Sequence, residues 1–312
     1  MKLFLFLFLL PGLMCPSAGP QESQAQSTIK VETDLVTLTA TVLDRSERSV
    51  ADLEKGDFVL YEDGVSQDIA VFHKEDIPVS LGVLFDTSGS MVDKIEEVRD
   101  AVIHLINTTN PADDIFVMQF STEAFVVQNF TGDRQALAAA IGTLRARGST
   151  ALYEAIVKGS EYVQHGQHKK RALVVITDGN DTSSEITLQE AIDAAVRSEV
   201  LIYGLGIGHG EHGSFGHAEG SFKDTVDIDV LRRFSDLTGG RALLVEGAHF
   251  KHGMDQIDQA CQSLSTELRR QYTLGYYPQN KAHDGKYRRI RVEVKKQNLK
   301  VRAREGYFAP RG

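Results

Sequence analysis

Residues 83–91 read "VLFDTSGSM", an apolar run that ends in Asp86 and is followed at once by hydroxyls and a glycine. An acid with hydroxyl neighbours at the end of a buried strand suits two chemistries. One is the aspartic-protease pattern, hydrophobic-Asp-Thr-Gly, in which two carboxylates share one proton to activate water. The other is a hard-cation site, in which an acid and two spaced serines turn their oxygens toward one ion. The protease pattern needs Gly directly after Asp-Thr and a second copy of the motif. Here Ser88 separates Thr87 from Gly89, and no second Asp-Thr/Ser-Gly occurs.

The surrounding pattern also excludes an all-β protease. "VSLGVLFD" (79–86) is a continuous apolar run, and Ile95, Val98, Val102, Leu105 and Ile106 then recur at helical spacing. "DDIFVMQFS" (113–121) and "EAFVVQNF" (123–130) read as a hairpin. Buried strands follow in "RALVVITDG" (171–179), "VLIYGLGIG" (200–208) and "RALLV" (241–245). Between and after them, helical patterns cover 133–146, 150–164, 188–198, 227–240 and 254–272. Apolar strands alternating with helices predict an α/β fold: a doubly wound, mostly parallel sheet with one antiparallel edge hairpin strand. Ligands on such sheets bind outside the carboxyl ends of the strands, where both "LFD" and "VITD" stop.

Both flanks are β. "VTLTATVLD" (36–44) alternates with period two, and "DFVLYEDGVSQDIAVF" (57–72) reads as two short strands around an Asp63-Gly64 turn. At the other end, "QYTLGYYP" (271–278) and "KYRRIRVEVKKQNLKVRAREGYF" (286–308) are strand-like again. Each flank has too few strands to bury a core alone. The expected organisation is therefore an N-terminal β segment at 26–77, an α/β domain at 78–268, and a C-terminal β segment at 269–312 that pairs with the first in one small sandwich.

Within 312 residues, 42% hydrophobic content allows a sizeable core. A net charge of −9 argues against nucleic acid as a partner, because phosphate binding needs a basic surface. From Lys286 onward the balance reverses, with ten Lys/Arg against two Asp/Glu, so this segment is expected to be a solvated basic face or to dock on the acidic remainder or an anionic surface. The opening "MKLFLFLFLLPGLMCPSAGPQESQAQ" reads as an export signal over 1–25, with cleavage after Ala25 or Gly19. Leu3–Leu10 is too short to span a bilayer, which takes about 20 apolar residues, and Cys15 follows Met14 rather than the small residue of a lipidation site. An exported chain, periplasmic or extracellular, with no transmembrane anchor after signal cleavage is expected. Cys261 then stands alone and reads as a small buried side chain on a helix.

The hard-cation alternative finds its remaining parts further along. Asp86, Ser88 and Ser90 occupy alternate positions of one loop, Thr150 in "RGSTALYEA" precedes a helix, and Asp178 ends a second buried strand. Oxygen donors without sulfur or imidazole suit magnesium or manganese. Singly, each residue has a plainer role: Ser88 and Ser90 as turn residues, and Asp178, Asn180 and Asp181 as polar groups of a turn.

Together, "FDTSGSM", "GSTALYEAI" and "VVITDGND" resemble the von Willebrand factor type A (VWA) domain and its metal-ion-dependent adhesion site (MIDAS). The resemblance covers about residues 78–268, and with the export signal the chain is similar to the secreted bacterial VWFA-related proteins. It implies a Rossmann-like fold, Ser88, Ser90 and Thr150 as direct metal ligands, Asp86 acting mostly through water, and Asp178 acting either way. It also implies a protein partner whose Asp or Glu carboxylate completes the metal shell. Neutral hydroxyls leave the ion's charge unsatisfied, which keeps it electrophilic toward an incoming anion.

A second metal-like stretch, His209, His212 and His217 beside Glu211 and Glu219, lacks a helix or strand to fix its spacing and reads as a glycine-rich loop. No phosphate loop, His-Glu-x-x-His or Gly-x-Ser-x-Gly occurs. The expected function is a non-enzymatic, cation-dependent adhesion or scaffolding module. Its rivals are a regulatory subunit of a larger enzyme machine and a metal-dependent hydrolase, for which no general base stands out beyond the ligands themselves.

Overall fold

In a computed structural model, which describes residues 35–74, 76–210, 225–246 and 251–311, the front of the chain forms β1 (Val36–Leu43), β2 (Phe58–Glu62), β3 (Val65–Gln67) and β4 (Ile69–His73). The proposed signal segment, Cys15 and most of the His/Gly-rich loop lie outside the described residues. The middle of the chain then alternates: β5 (Val79–Asp86), α1 (Ile95–Thr108), β6 (Asp114–Phe120), β7 (Ala124–Thr131), α2 (Arg134–Gly142) and α3 (Leu152–Tyr162). After these come β8 (Lys170–Thr177), α4 (Leu188–Arg197), β9 (Leu201–Ile207), the two-residue pair β10 (His209–Gly210) and β11 (Thr225–Val226), α5 (Ile228–Thr238), β12 (Ala242–Val245) and α6 (Lys251–Arg269). The tail supplies β13 (Tyr272–Tyr276), β14 (Tyr287–Val294), β15 (Lys300–Ala303) and β16 (Gly306–Phe308).

The central sheet has the order β12-β9-β8-β5-β6-β7, parallel throughout except for the edge hairpin β6–β7. Its strands are apolar on both faces because both are covered. Val83 and Val174 pack under α1, α2 and α6, while Leu84 and Val175 pack under α3, α4 and α5. The chain starts this sheet at β5, builds outward to β7, then returns to β8 on the other side of β5 and builds toward β12. The order therefore reverses between β5 and β8, and that boundary is where a crevice opens at the strand ends.

Front and tail strands pair as expected, in two antiparallel sheets of order β15-β1-β13-β4 and β16-β14-β2-β3. Leu38, Val42 and Tyr272 of the first sheet share a buried core with Phe58, Leu60 and Ile290 of the second. Asp63 (φ 47°) and Gly64 (φ 84°) both take the left-handed conformation that the tight β2–β3 hairpin requires. One expectation is corrected: residues 65–72 are not a single strand. The chain breaks at Asp68, so β3 stays with β2 while β4 crosses to β13, the corner by which one chain segment serves both sheets of a sandwich.

Three arginines of the basic tail dock on acidic residues elsewhere, while its other seven Lys/Arg are exposed to solvent. Arg302 pairs with Glu267 of α6, Arg304 lies 2.8 Å from Glu199, and Arg288 lies 3.4 Å from Glu62, each pair with at least one buried partner. Gln271 joins the sandwich to the central sheet by donating to Thr41 Oγ1 (2.9 Å) and to Tyr203 Oη (2.8 Å). Cys261 is buried on α6 as expected, and burial, with Asp258 adding, pushes its thiol up to about 12. Among the described residues no helix is long and apolar enough to cross a membrane.

Candidate functional site

Asp86 is the last residue of β5, in register with Phe120 on one side and next to the pair Phe85–Ile176 on the other. Thr177, which closes β8, therefore stands beside it, and its hydroxyl donates to Asp86 Oδ2 at 2.6 Å. The backbone N–H of Ser88 donates to Oδ1 at 2.7 Å. These two bonds fix the carboxylate in a fully buried position. Burial pushes its pKa up to about 7, against the opposing pull of the Thr177 and Ser88 donors, and the nearby Asp178 adds to the rise.

Gly89–Asp93 forms a short 3-10 turn between β5 and α1. It carries Ser90 back toward β8, so that Ser88 Oγ and Ser90 Oγ lie 3.0 Å apart and Ser90 Oγ donates to Asp178 Oδ1 at 2.7 Å. The result is a continuous line of polar side chains from Thr177 through Asp86, Ser88 and Ser90 to Asp178, across the point where the strand order reverses.

Thr150 approaches from the loop before α3. Its own N–H donates to Thr182 Oγ1 (3.0 Å), and its carbonyl accepts from the N–H of Thr182 (2.8 Å). Gly148 (φ 85°) makes the turn into this loop, and the N–H of Gly89 donates to its carbonyl at 2.9 Å, which ties the Thr150 loop to the serine loop. A Cβ built on Gly179 would stand 3.6 Å from Thr150 Oγ1 and 3.8 Å from Ser90 Oγ. The glycine thus leaves open a small space lined by those two hydroxyls. Ser90 is exposed while Asp86, Ser88, Thr150 and Asp178 are buried, so the group opens to solvent at one point, beside the 58%-exposed Val92.

All five residues singled out in the sequence therefore converge. Two carboxylates and three hydroxyls make an all-oxygen donor set, the chemistry a hard divalent cation takes. Among the described residues no group of three or more His, Cys, Asp or Glu is placed to hold a metal ion, so a cation here would depend on the hydroxyls. Asp181 is a turn group, its Oδ1 accepting from the N–H of Ser184 (3.2 Å), but it and Asn180 also tie this loop to other elements: Asp181 Oδ2 accepts from the N–H of Tyr153 (3.0 Å) at the start of α3, and Asn180 accepts from the N–H of Asp227 before α5. Of the histidine stretch, 211–224 lies outside the described residues, as does the side chain of His209.

Two residues of the site escaped the sequence reading. Thr177 sits in an apolar strand as a polar last residue, and a hydroxyl buried there has to find a partner. Lys94 looks like a surface residue at a helix start, yet its Nζ lies 2.8 Å from Asp178 Oδ2 with both side chains buried.

Comparison with known proteins agrees with this architecture. The family model of the von Willebrand factor type A domain matches residues 81–180. An uncharacterized protein of Borreliella burgdorferi is 28% identical over 175 residues, 53% of this chain and 50% of that protein. Inter-alpha-trypsin inhibitor heavy chain H4 of Bos taurus is 24% identical over 149 residues, 42% of this chain but 16% of that one. The chain thus matches half or less of the length of these relatives. Among solved structures, a von Willebrand factor type A protein from Catenulispora acidiphila shares the fold, with a TM-score of 0.51 and 14% identity, covering 89% of this chain and 74% of that chain. With the matched segment running from within β5 to just past Asp178, the chain is a protein that contains a von Willebrand factor type A domain.

Proposed function

We propose that the chain is an exported, non-enzymatic protein-binding module in which Asp86, Ser88, Ser90, Thr150 and Asp178 hold a magnesium or manganese ion, and a partner's Asp or Glu carboxylate completes the ion's shell. The observation that carries this reading is the hydrogen-bonded line from Asp86 through Ser88 and Ser90 to Asp178, with Thr150 across the gap at Gly179. When bound, a divalent cation would supply an electrophilic point for an anionic partner. The chain's own residues supply the rest. Thr177 and the Ser88 N–H orient Asp86, and exposed Ser90 marks where a partner can enter. The acidic chain attracts an acidic partner poorly at long range, so recognition would rest on short-range contact and vary little with moderate salt. Export is supported by the sequence of residues 1–25.

Titration calorimetry with Mn2+ tests the cation site. Wild type is expected to show one site, and Asp86→Asn and Thr150→Ala are each expected to weaken it by about 10–100-fold or more with an unchanged circular dichroism spectrum. Wild-type affinity in both folded variants would contradict the assignment.

A further inference from the structure

We infer that Lys94 is a built-in counter-charge of the cation site, one that holds the affinity for the metal alone low and so makes an anionic partner part of stable binding. This rests on the reading of the five oxygen-bearing residues as a cation site. Lys94 directly follows the turn that carries Ser90, and its N–H donates to the Met91 carbonyl at 3.0 Å, so the loop that presents the hydroxyls also places the lysine. Its ammonium, 1% exposed, lies 2.8 Å from the Asp178 carboxylate, which is 0% exposed. Asp178's other oxygen accepts from Ser90 Oγ at 2.7 Å. Both oxygens of one of the two acids are therefore already engaged by donors of this chain.

Such a pair has a definite electrostatic consequence. The ammonium cannot be screened by water where it sits, so it repels an arriving cation far more strongly than a surface lysine does. It also offsets the charge of Asp178. An ion held by a carboxylate so offset and by neutral hydroxyls binds weakly and keeps a strong demand for a further anion. Lys94 is thus a specificity-determining residue: it sets the site to respond to a carboxylate-bearing partner together with the metal rather than to the metal alone.

The test is Mn2+ binding by the full chain as Lys94→Gln, which keeps a hydrogen-bond donor but removes the charge. Lys158→Gln makes the same charge change at an exposed position of α3. Lys94→Gln is expected to bind Mn2+ about tenfold tighter than wild type or better, and Lys158→Gln to match wild type. Mn2+ is also expected to raise the unfolding temperature of Lys94→Gln more than that of wild type, because the ion then replaces the missing ammonium. Folding of Lys94→Gln only with Mn2+ present would support the same conclusion. Equal or weaker Mn2+ binding by Lys94→Gln, where wild type binds, would overturn the counter-charge and leave the cation site standing; so would failure to fold even in saturating Mn2+. Absence of binding in both wild type and Lys94→Gln would overturn the cation site and this inference with it.

Discussion

Glu62→Ala is expected to cost about 3–5 kcal/mol of stability, the range seen when one partner of a buried ion pair is removed. Glu62, at the end of β2, is buried where the two sandwich sheets meet. Its Oε2 accepts from Tyr276 Oη of β13 at 2.7 Å and from Tyr307 Oη of β16 at 2.9 Å, while Arg288 of β14 lies 3.4 Å from Oε1. Burial and this carboxylate both hold the two phenols in their protonated form, so each is a dedicated donor. Alanine would leave a buried guanidinium with its carbonyl partners and only the distant Asp284 carboxylate (3.9 Å), and two hydroxyls without their carboxylate acceptor. Glu62→Gln keeps an acceptor for the tyrosines and is expected to lose less. Urea unfolding followed by circular dichroism decides the matter, and a loss below about 1 kcal/mol for Glu62→Ala would show that the network does not hold the sandwich together.

Gly240→Ala is expected to destabilise the α/β domain by at least about 3 kcal/mol, because the atoms in the way are backbone. α5 ends at a glycine pair. Gly239 takes φ 86°, and a Cβ there would meet Arg304 N at 2.6 Å, which packs the helix end against the tail. A Cβ on Gly240 would overlap the Ile202 carbonyl oxygen of β9 and stand 2.6 Å from its carbon. Neither neighbour is a flexible side-chain end, so relief requires α5 and β9 to separate, and Leu231 and Phe234 would lose their place over the sheet. By contrast, a Cβ on Gly142 at the end of α2 meets nothing within 4 Å, so Gly142→Ala serves as the control. A Gly240→Ala midpoint close to that of Gly142→Ala would contradict the packing described.

How legible these features were depends on the range of the interaction that makes them. Asp86 and Asp178 were readable because a strand buried on both faces is a continuous apolar run, and an acid at its end marks the mouth of the sheet. Pairing of the flanks followed from each being too short to bury its own apolar face. The break at Asp68 left no such mark, since the alternation of Val65, Gln67, Ile69 and Val71 runs straight through it and only the partner strands differ. Lys94 meets Asp178 across 84 residues, and Glu62 meets Arg288 across 226, so nothing local distinguishes them from surface charges. Thr177 was the residue within reach: a hydroxyl in an otherwise apolar strand beside an acid-bearing neighbour asks for a partner.

The central claim, that five oxygen-bearing side chains from three loops hold one divalent cation, is tested most directly by crystals of the protein grown with Mn2+ and measured at the manganese absorption edge. An anomalous difference peak enclosed by Asp86, Ser88, Ser90, Thr150 and Asp178 is the predicted result. Well-ordered density for those five side chains at saturating Mn2+, with no anomalous peak among them, would contradict it.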